Sequence, residues 1–311
     1  MNQPSPFRRA FLMGRRARRH PWEAFIRSLQ GQVQGEVLDF GWHGGSGRAS
    51  WTPIDDSDVA TAAALCREYG ILLALDGLDY VNTLSNESVL WVVPQSPIAA
   101  CQVMPGPTRR WLVQPGCLVA QARAAGLMQF EAQYDYLTVA AWLADRRICA
   151  WPTGQTAHSG LMLANVLLAD GSSAVLGPFG ANSQASLDTL FLQRAIPQLF
   201  QLSNGLLAQT CQENSTWPAR YRLDAMKPQA PQQVNLAHLL LGHGGDLAWV
   251  QWMVFEPVPV LPQINTSEPF RAPETLADDD AVALAATELD AAVKALFDPV
   301  GLFPHPGQQL D

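Results

Sequence analysis

Along this 311-residue chain the apolar positions switch between helical spacing and short continuous runs, and the switches mark out the elements. Trp22, Phe25, Ile26 and Leu29 recur at helical spacing and predict a short helix over 22–29. Asp55-Asp56-Ser57-Asp58 then supplies helix-start residues, residues 59–69 carry apolar side chains at helical spacing, and Gly70 is the stop. The run Ile71-Leu72-Leu73-Ala74-Leu75 is continuously apolar and reads as a short buried strand. Further strands are predicted over 89–93 and 110–114, and a helix over 120–125. Asp170-Gly171 is a hairpin signal in its own right. A helical stretch at 187–196 is interrupted by Pro197 and resumes over 199–207. Residues 236–241 read as an apolar helix end that runs into Gly242-His243-Gly244-Gly245 and then a strand-like run to Phe255. The proline-rich 256–275 reads as a covering or linking segment, and 279–297 as a final helix. Gly41 to Gly47 is glycine-rich without a following helix, so it lacks the helix N-terminus of a phosphate cradle and reads as a flexible connection. Together these elements predict an α+β domain over residues 45–260, preceded by an arm (1–44) and followed by a linker, helix and tail (261–311).

Composition narrows the class. With 48% hydrophobic and 15% charged residues the chain can bury a substantial core. Its apolar runs fall short of the roughly 20 residues that a membrane helix needs, and a soluble, cytoplasmic protein is expected. Seven arginines lie in residues 1–27 against Glu23 alone, so the remainder is acidic and a nucleic-acid surface is not expected. Arg8-Arg9-Ala10-Phe11-Leu12 has the look of an export signal, but further arginines follow where an apolar stretch is required. The arm is instead a candidate to dock on a partner or an anionic membrane surface. Five cysteines, widely spaced and without a C-x-x-C, suit a reducing compartment and offer no metal motif.

Several segments, in order, resemble those of FAD-linked oxidases of the D-lactate dehydrogenase and glycolate oxidase type. The helix and strand over 55–75 resemble the opening of that family's flavin domain. Pro115-Gly116-Cys117-Leu118-Val119 is similar to its v-x-P-G-v segment, and residues 161–171 to its v-l-g-l-e-V-V-l-A-D-G strand and turn. Thr153-Gly154-Gln155-Thr156 is similar to its y-G-t-t, and residues 236–250 resemble L-x-V-G-S-E-G-T-L-G-I-I-T. Asp298-Pro299-Val300-Gly301-Leu302-Phe303 resembles its closing f-D-P-x-g-i-f. The resemblance implies a two-subdomain PCMH-type FAD-binding fold. The family's substrate domain of over a hundred residues has no room between 261 and 289, so a truncated substrate domain is expected.

The resemblance also assigns the FAD-binding positions: Asp76, Gly77, Leu78, Gly116, Thr138, Ala140, Ala141, Gly154, Gly242, His243, Gly244 and Val250. A diphosphate is held by backbone N–H groups approached without Cβ obstruction, which calls for glycine. Where the family resembles P-R-G-G-G-T, this chain has Leu75-Asp76-Gly77-Leu78-Asp79-Tyr80, with two carboxylates that repel a diphosphate. Where the family resembles T-I-G-G-x-x-A, Thr138-Val139-Ala140-Ala141 has alanine at both glycine positions. His243 is a candidate flavin-attachment residue by resemblance, and an exposed or capping histidine by its own context. His43, His158 and His238 read as structural histidines, and Asp76 with Asp79 as surface-turn carboxylates or an acid/base or metal pair. No catalytic residue and no metal site is assigned. Two functions follow as expectations. One is an FAD-binding component, with a weakened flavin site, of a 2-hydroxy acid (lactate or glycolate) oxidising system. The other is a non-catalytic structural or regulatory subunit beside a flavoenzyme partner, no longer binding FAD.

Overall fold

The computed structural model describes residues 20–78, 87–94, 100–131, 133–180, 189–258 and 280–305. The fold is α+β, and the described residues form two sheets. In the first, β1 (Gly35–His43) and β2 (Ser46–Pro53) form an antiparallel hairpin, and β3 (Leu72–Leu75) and β4 (Val89–Val92) run parallel, in the order β1-β2-β4-β3. Helices α1 (Pro21–Gln32) and α2 (Asp58–Tyr69) pack together beside it. Gly70 closes α2 in the left-handed conformation, and its N–H donates to the Cys66 carbonyl, as the glycine stop predicts.

The second sheet is antiparallel throughout, in the order β5-β6-β9-β7-β8. Its strands are β5 (Cys101–Met104), β6 (Arg110–Val113), β7 (Leu161–Leu167), β8 (Ser173–Leu176) and β9 (Trp249–Phe255). Around it lie α3 (Val119–Ala124), α4 (Val139–Ala144), α5 (Leu190–Asn204), α6 (Leu206–Gln212) and α7 (Asp280–Phe297). The Asp170-Gly171 turn joins β7 to β8, with the Gly171 N–H on the Leu168 carbonyl at 2.9 Å.

Two readings change. The glycine-rich 41–47 is not a flexible connection: it is the end of the β1–β2 hairpin, with Trp42 paired to Gly47. Consequently the boundary expected at residue 44 falls in the hairpin turn, and α1 and β1 belong to the first sheet's core through Trp22, Phe25, Ile26 and Leu29. Pro197 interrupts the pattern but not the element, since it lies inside the continuous helix α5. Strands β5 and β8 escaped the pattern because each is four residues long and half exposed; pairing to β6 and β7 is what makes them strands.

The core of the first sheet does not stop at that sheet. Leu73, Leu75, Leu78 and Leu90 form one buried cluster with Ala140, Ala141 and Ala144 of α4, with Leu167 and Trp249 of the second sheet, and with Leu302 and Phe303 near the C-terminus. Apolar surface removed from water in this way is worth about 25 cal/mol per Å², and here it joins the two sheets at the place where the resemblance puts a cofactor.

Candidate functional site

Three of the expected cofactor segments converge: the end of β3 with Asp76-Gly77-Leu78, the start of α4 at Thr138 to Ala141, and the loop Gly242 to Gly245. They meet each other directly. A Cβ on Gly77 would lie 3.9 Å from the Ala141 Cβ, an ordinary van der Waals contact. A Cβ on Gly245 would lie 3.0 Å from the Leu75 Cβ and 3.7 Å from Leu78 Cδ1, so the glycine loop already rests on the first loop.

Several backbone donors of the second and third segments are taken within the protein. Thr138 caps α4, its Oγ1 accepting from the Ala141 N–H at 3.2 Å. The Ala140 N–H donates to the Pro115 carbonyl at 3.1 Å. A helix leaves its last carbonyls without intrahelical donors; in α4 those of Leu143 and Ala144 accept from the N–H groups of Gly242 at 2.7 Å and Gly244 at 2.9 Å. The surviving glycines thus serve as the C-terminal cap of a neighbouring helix. Gly242 has a second reason to be glycine. Its φ is +82°, and a Cβ there would stand 2.8 Å from the Arg146 Cα, so no other residue fits without displacing backbone.

Among the described residues, Leu75, Ala140, His243, Gly245, Ala248, Trp249 and Val250 line a cavity of about 10 Å³. That is about the space of one water molecule, against the roughly 300–1,000 Å³ of ordinary ligand pockets. Two buried polar atoms belong to residues of this lining, His243 Nδ1 and Trp249 Nε1, and neither has a hydrogen-bond partner. Around this cavity the described residues stand in contact and leave room for a solvent molecule, which does not fit a dinucleotide at that point.

His243 is neither exposed nor a cap but 2% exposed. Burial first, then the charges of Arg220 and Lys294, lower its pKa to about 3. A histidine with a depressed folded pKa stabilises the fold above its unfolded pKa near 6.5, and that contribution is lost as pH falls toward the folded value. Relative to His243→Gln, the wild type is expected to lose stability below pH 6.5 at about 1.4 kcal/mol per pH unit. Urea unfolding of both proteins at pH 7 and pH 5 checks this; equal losses in the two would show that His243 accepts a proton in the fold.

Other expected residues lie apart or play a structural part. The Gly154 N–H donates to Asp224 Oδ2 at 2.7 Å, away from the junction. Gly116 sits in the buried turn between β6 and α3, and Val250 is a buried β9 residue that lines the cavity. His238 is a satisfied core histidine, bonded to Thr156 Oγ1 at 2.9 Å and the Leu161 carbonyl at 2.8 Å, with burial lowering its pKa to about 4. Asp76 is pushed up by burial, opposed by the Gly77 N–H; Asp79 and Tyr80 lie outside the described residues. Among the described residues no three His, Cys, Asp or Glu side chains cluster to hold a metal, and no helix is long and apolar enough to cross a membrane.

The sequence reading missed a buried ionic network beside the junction. Asp246 accepts from Arg220 Nη1 at 3.0 Å and from the Tyr221 hydroxyl at 2.8 Å, and Lys294 of α7 donates to the Asp246 carbonyl and to Asp298. Asp290 accepts the N–H groups of Arg220 and Tyr221, and burial raises its pKa to about 7. The available signal was the run of charges within the otherwise apolar Ala219-Arg220-Tyr221-Arg222-Leu223-Asp224.

No protein-family model matches this chain, and no curated protein matches it either. Among solved structures it is similar to 4-ethylphenol oxidase from Gulosibacter chungangensis, at 14% identity over 78% of this chain and 44% of that one, TM-score 0.45. It is similar to xylooligosaccharide oxidase from Myceliophthora thermophila C1, at 15% identity over 75% of this chain and 42% of that one, TM-score 0.42. The figures for p-cresol methylhydroxylase are 12% identity, 78% and 44% coverage, and TM-score 0.40. The chain spans less than half the length of each of these three proteins. With every TM-score below 0.5, the likenesses carry no inference about activity or substrate.

Proposed function

We propose that this chain is a non-catalytic subunit related to the FAD-linked oxidases, one in which the flavin groove has closed into core and the protein serves a structural or regulatory role beside a flavoenzyme partner. The observation that carries the reading is the direct contact of the Gly77, Ala141 and Gly245 segments around a cavity of about 10 Å³. Surface chemistry supports the partner role: Leu38, Phe40 and Trp42 of the edge strand β1 are 48%, 54% and 41% exposed, an apolar display of the kind that marks association sites. The arginine-rich arm before residue 20 adds charge for docking on an acidic surface.

The purified protein, mixed with excess FAD and passed through gel filtration, is expected to emerge without flavin absorbance, and a titration to show no saturable binding. Retained flavin would overturn the reading in favour of an FAD-binding oxidoreductase component, and 2-hydroxy acids would be the first substrates to try. Isolation from the native cell is expected to bring down a yellow flavoprotein; a chain that always purifies alone would remove the partner.

A further inference from the structure

Helix α7 buries charges and shows apolar side chains to solvent. Asp290 and Lys294 lie in the buried network beside Asp246, Asp290 accepting the Arg220 and Tyr221 N–H groups and Lys294 donating to the Asp246 carbonyl. The outward side holds Leu284, which is 60% exposed, together with the exposed Ala281, Ala291 and Ala295. Between α7 and the α5–α6 pair runs an open groove of about 610 Å³, with Leu202, Gly205 and Leu206 on one side and Leu289, Ala292 and Leu296 on the other. Among the described residues no charged side chain lines it. Leu206, the first residue of α6, stands at its edge with 79% of its surface exposed.

We propose that this groove is a two-fold interface between two copies of the chain, the projecting Leu206 of each copy seated in the groove of the other. A hollow and a projecting apolar side chain on the same face are what a self-complementary contact requires, because a two-fold interface sets one patch against itself. Charge selects the second copy over another protein. The chain carries a formal net charge of −8, so two copies repel unless they meet through a face without net charge. Helix α6 has no charged residue, α5 has only Arg194, and the exposed side of α7 adds Glu288. These two are opposite in sign and sum to zero. A partner of different sequence would be picked out by complementary charge, and this face offers none to match.

Size is adequate as well. The 18 residues of α7 span about 27 Å. With α5 and α6 packed beside it at about 10 Å between axes, the face offers on the order of 700 Å², close to the roughly 800 Å² per partner of a standard interface. The small side chains at 291, 292 and 295 let a second helix approach closely, since interaxial distance is set by the side chains at the contact. Helices α5 to α7 belong to the second sheet's core through Leu192, Leu199, Ala208 and Leu289, so a dimer formed here leaves the β1 edge of the first sheet open.

The full chain at about 50 μM, well above the micromolar weak end for interfaces of this size, is expected to sediment at twice 33.9 kDa. Leu206→Glu places a carboxylate in each groove and is expected to weaken the dimer at least tenfold and return the mass to a single chain. Its circular dichroism is expected to match the wild type, because surface substitutions disturb the fold little. Ala292→Glu on the opposite wall is expected to act in the same way, and Leu38→Glu on β1 to leave the dimer intact. A wild type that sediments as one chain, a dimer that survives both groove variants, or a dimer lost only in Leu38→Glu would each overturn the proposal. The wild-type mass decides the first of these even if a variant fails to fold.

Discussion

Asp224→Ala is expected to destabilise the protein by about 3–5 kcal/mol, the cost of leaving one partner of a buried ion pair uncompensated. Asp224 and Arg222 have side chains with no exposed surface, and the guanidinium reaches both carboxylate oxygens, at 2.9 Å and 2.6 Å. The same carboxylate accepts the Gly154 N–H, while Arg222 also donates to the carbonyls of Cys149, Trp151 and Pro152. Removing the carboxylate strands a cation and an amide in a place that water does not reach. Asp224→Asn keeps the shape and an acceptor oxygen, and is expected to recover part of the loss. Urea unfolding of the three proteins checks the order; a loss below about 1 kcal/mol for alanine, the size of an exposed pair, would mean that the site opens to solvent.

Gly242→Ala is the second large effect. The new methyl would have to sit 2.4 Å from Arg146 Cδ and 2.8 Å from Arg146 Cα, at a φ of +82°. The left-handed backbone alone costs about 1–2 kcal/mol, and overpacking about 1–3 kcal/mol, so a total of about 2–5 kcal/mol is expected. Arg146 cannot yield cheaply, because its guanidinium is bonded to the carbonyls of Cys149 and Trp217 at 2.6 Å and 2.7 Å. The effect is expected in unfolding experiments with no flavin added and to be unchanged when flavin is present. A variant as stable as the wild type would return Gly242 to the role that the resemblance assigns it, a cofactor wall.

This contrast shows where sequence reading reached its limit. Gly242 and Gly244 were legible as residues that needed to be glycine, and the turn is there. Their reason was not legible, because the groups they serve, the carbonyls of Leu143 and Ala144, lie about a hundred positions earlier in the chain. The alanines at 140 and 141 were read as obstructions to a phosphate; they are also the surface on which the first sheet's core closes. His243 read as exposed because glycines flank it, whereas tertiary packing around Leu75 and Trp249 buries it.

By itself the sequence determined the local elements: helix α2 with its glycine stop, strands β3, β4 and β6, the Asp170-Gly171 hairpin and the last helix. Period, caps and turn residues act over a few positions, so they are readable one segment at a time. The tertiary structure alone decided how closely the segments that the resemblance assigns to a flavin would meet. That outcome depends on the volumes of Leu75, Leu78, Ala140, Ala141 and Trp249 meeting across two sheets. Close packing admits no gap that those side chains can fill, and no local pattern records which distant side chains will face each other.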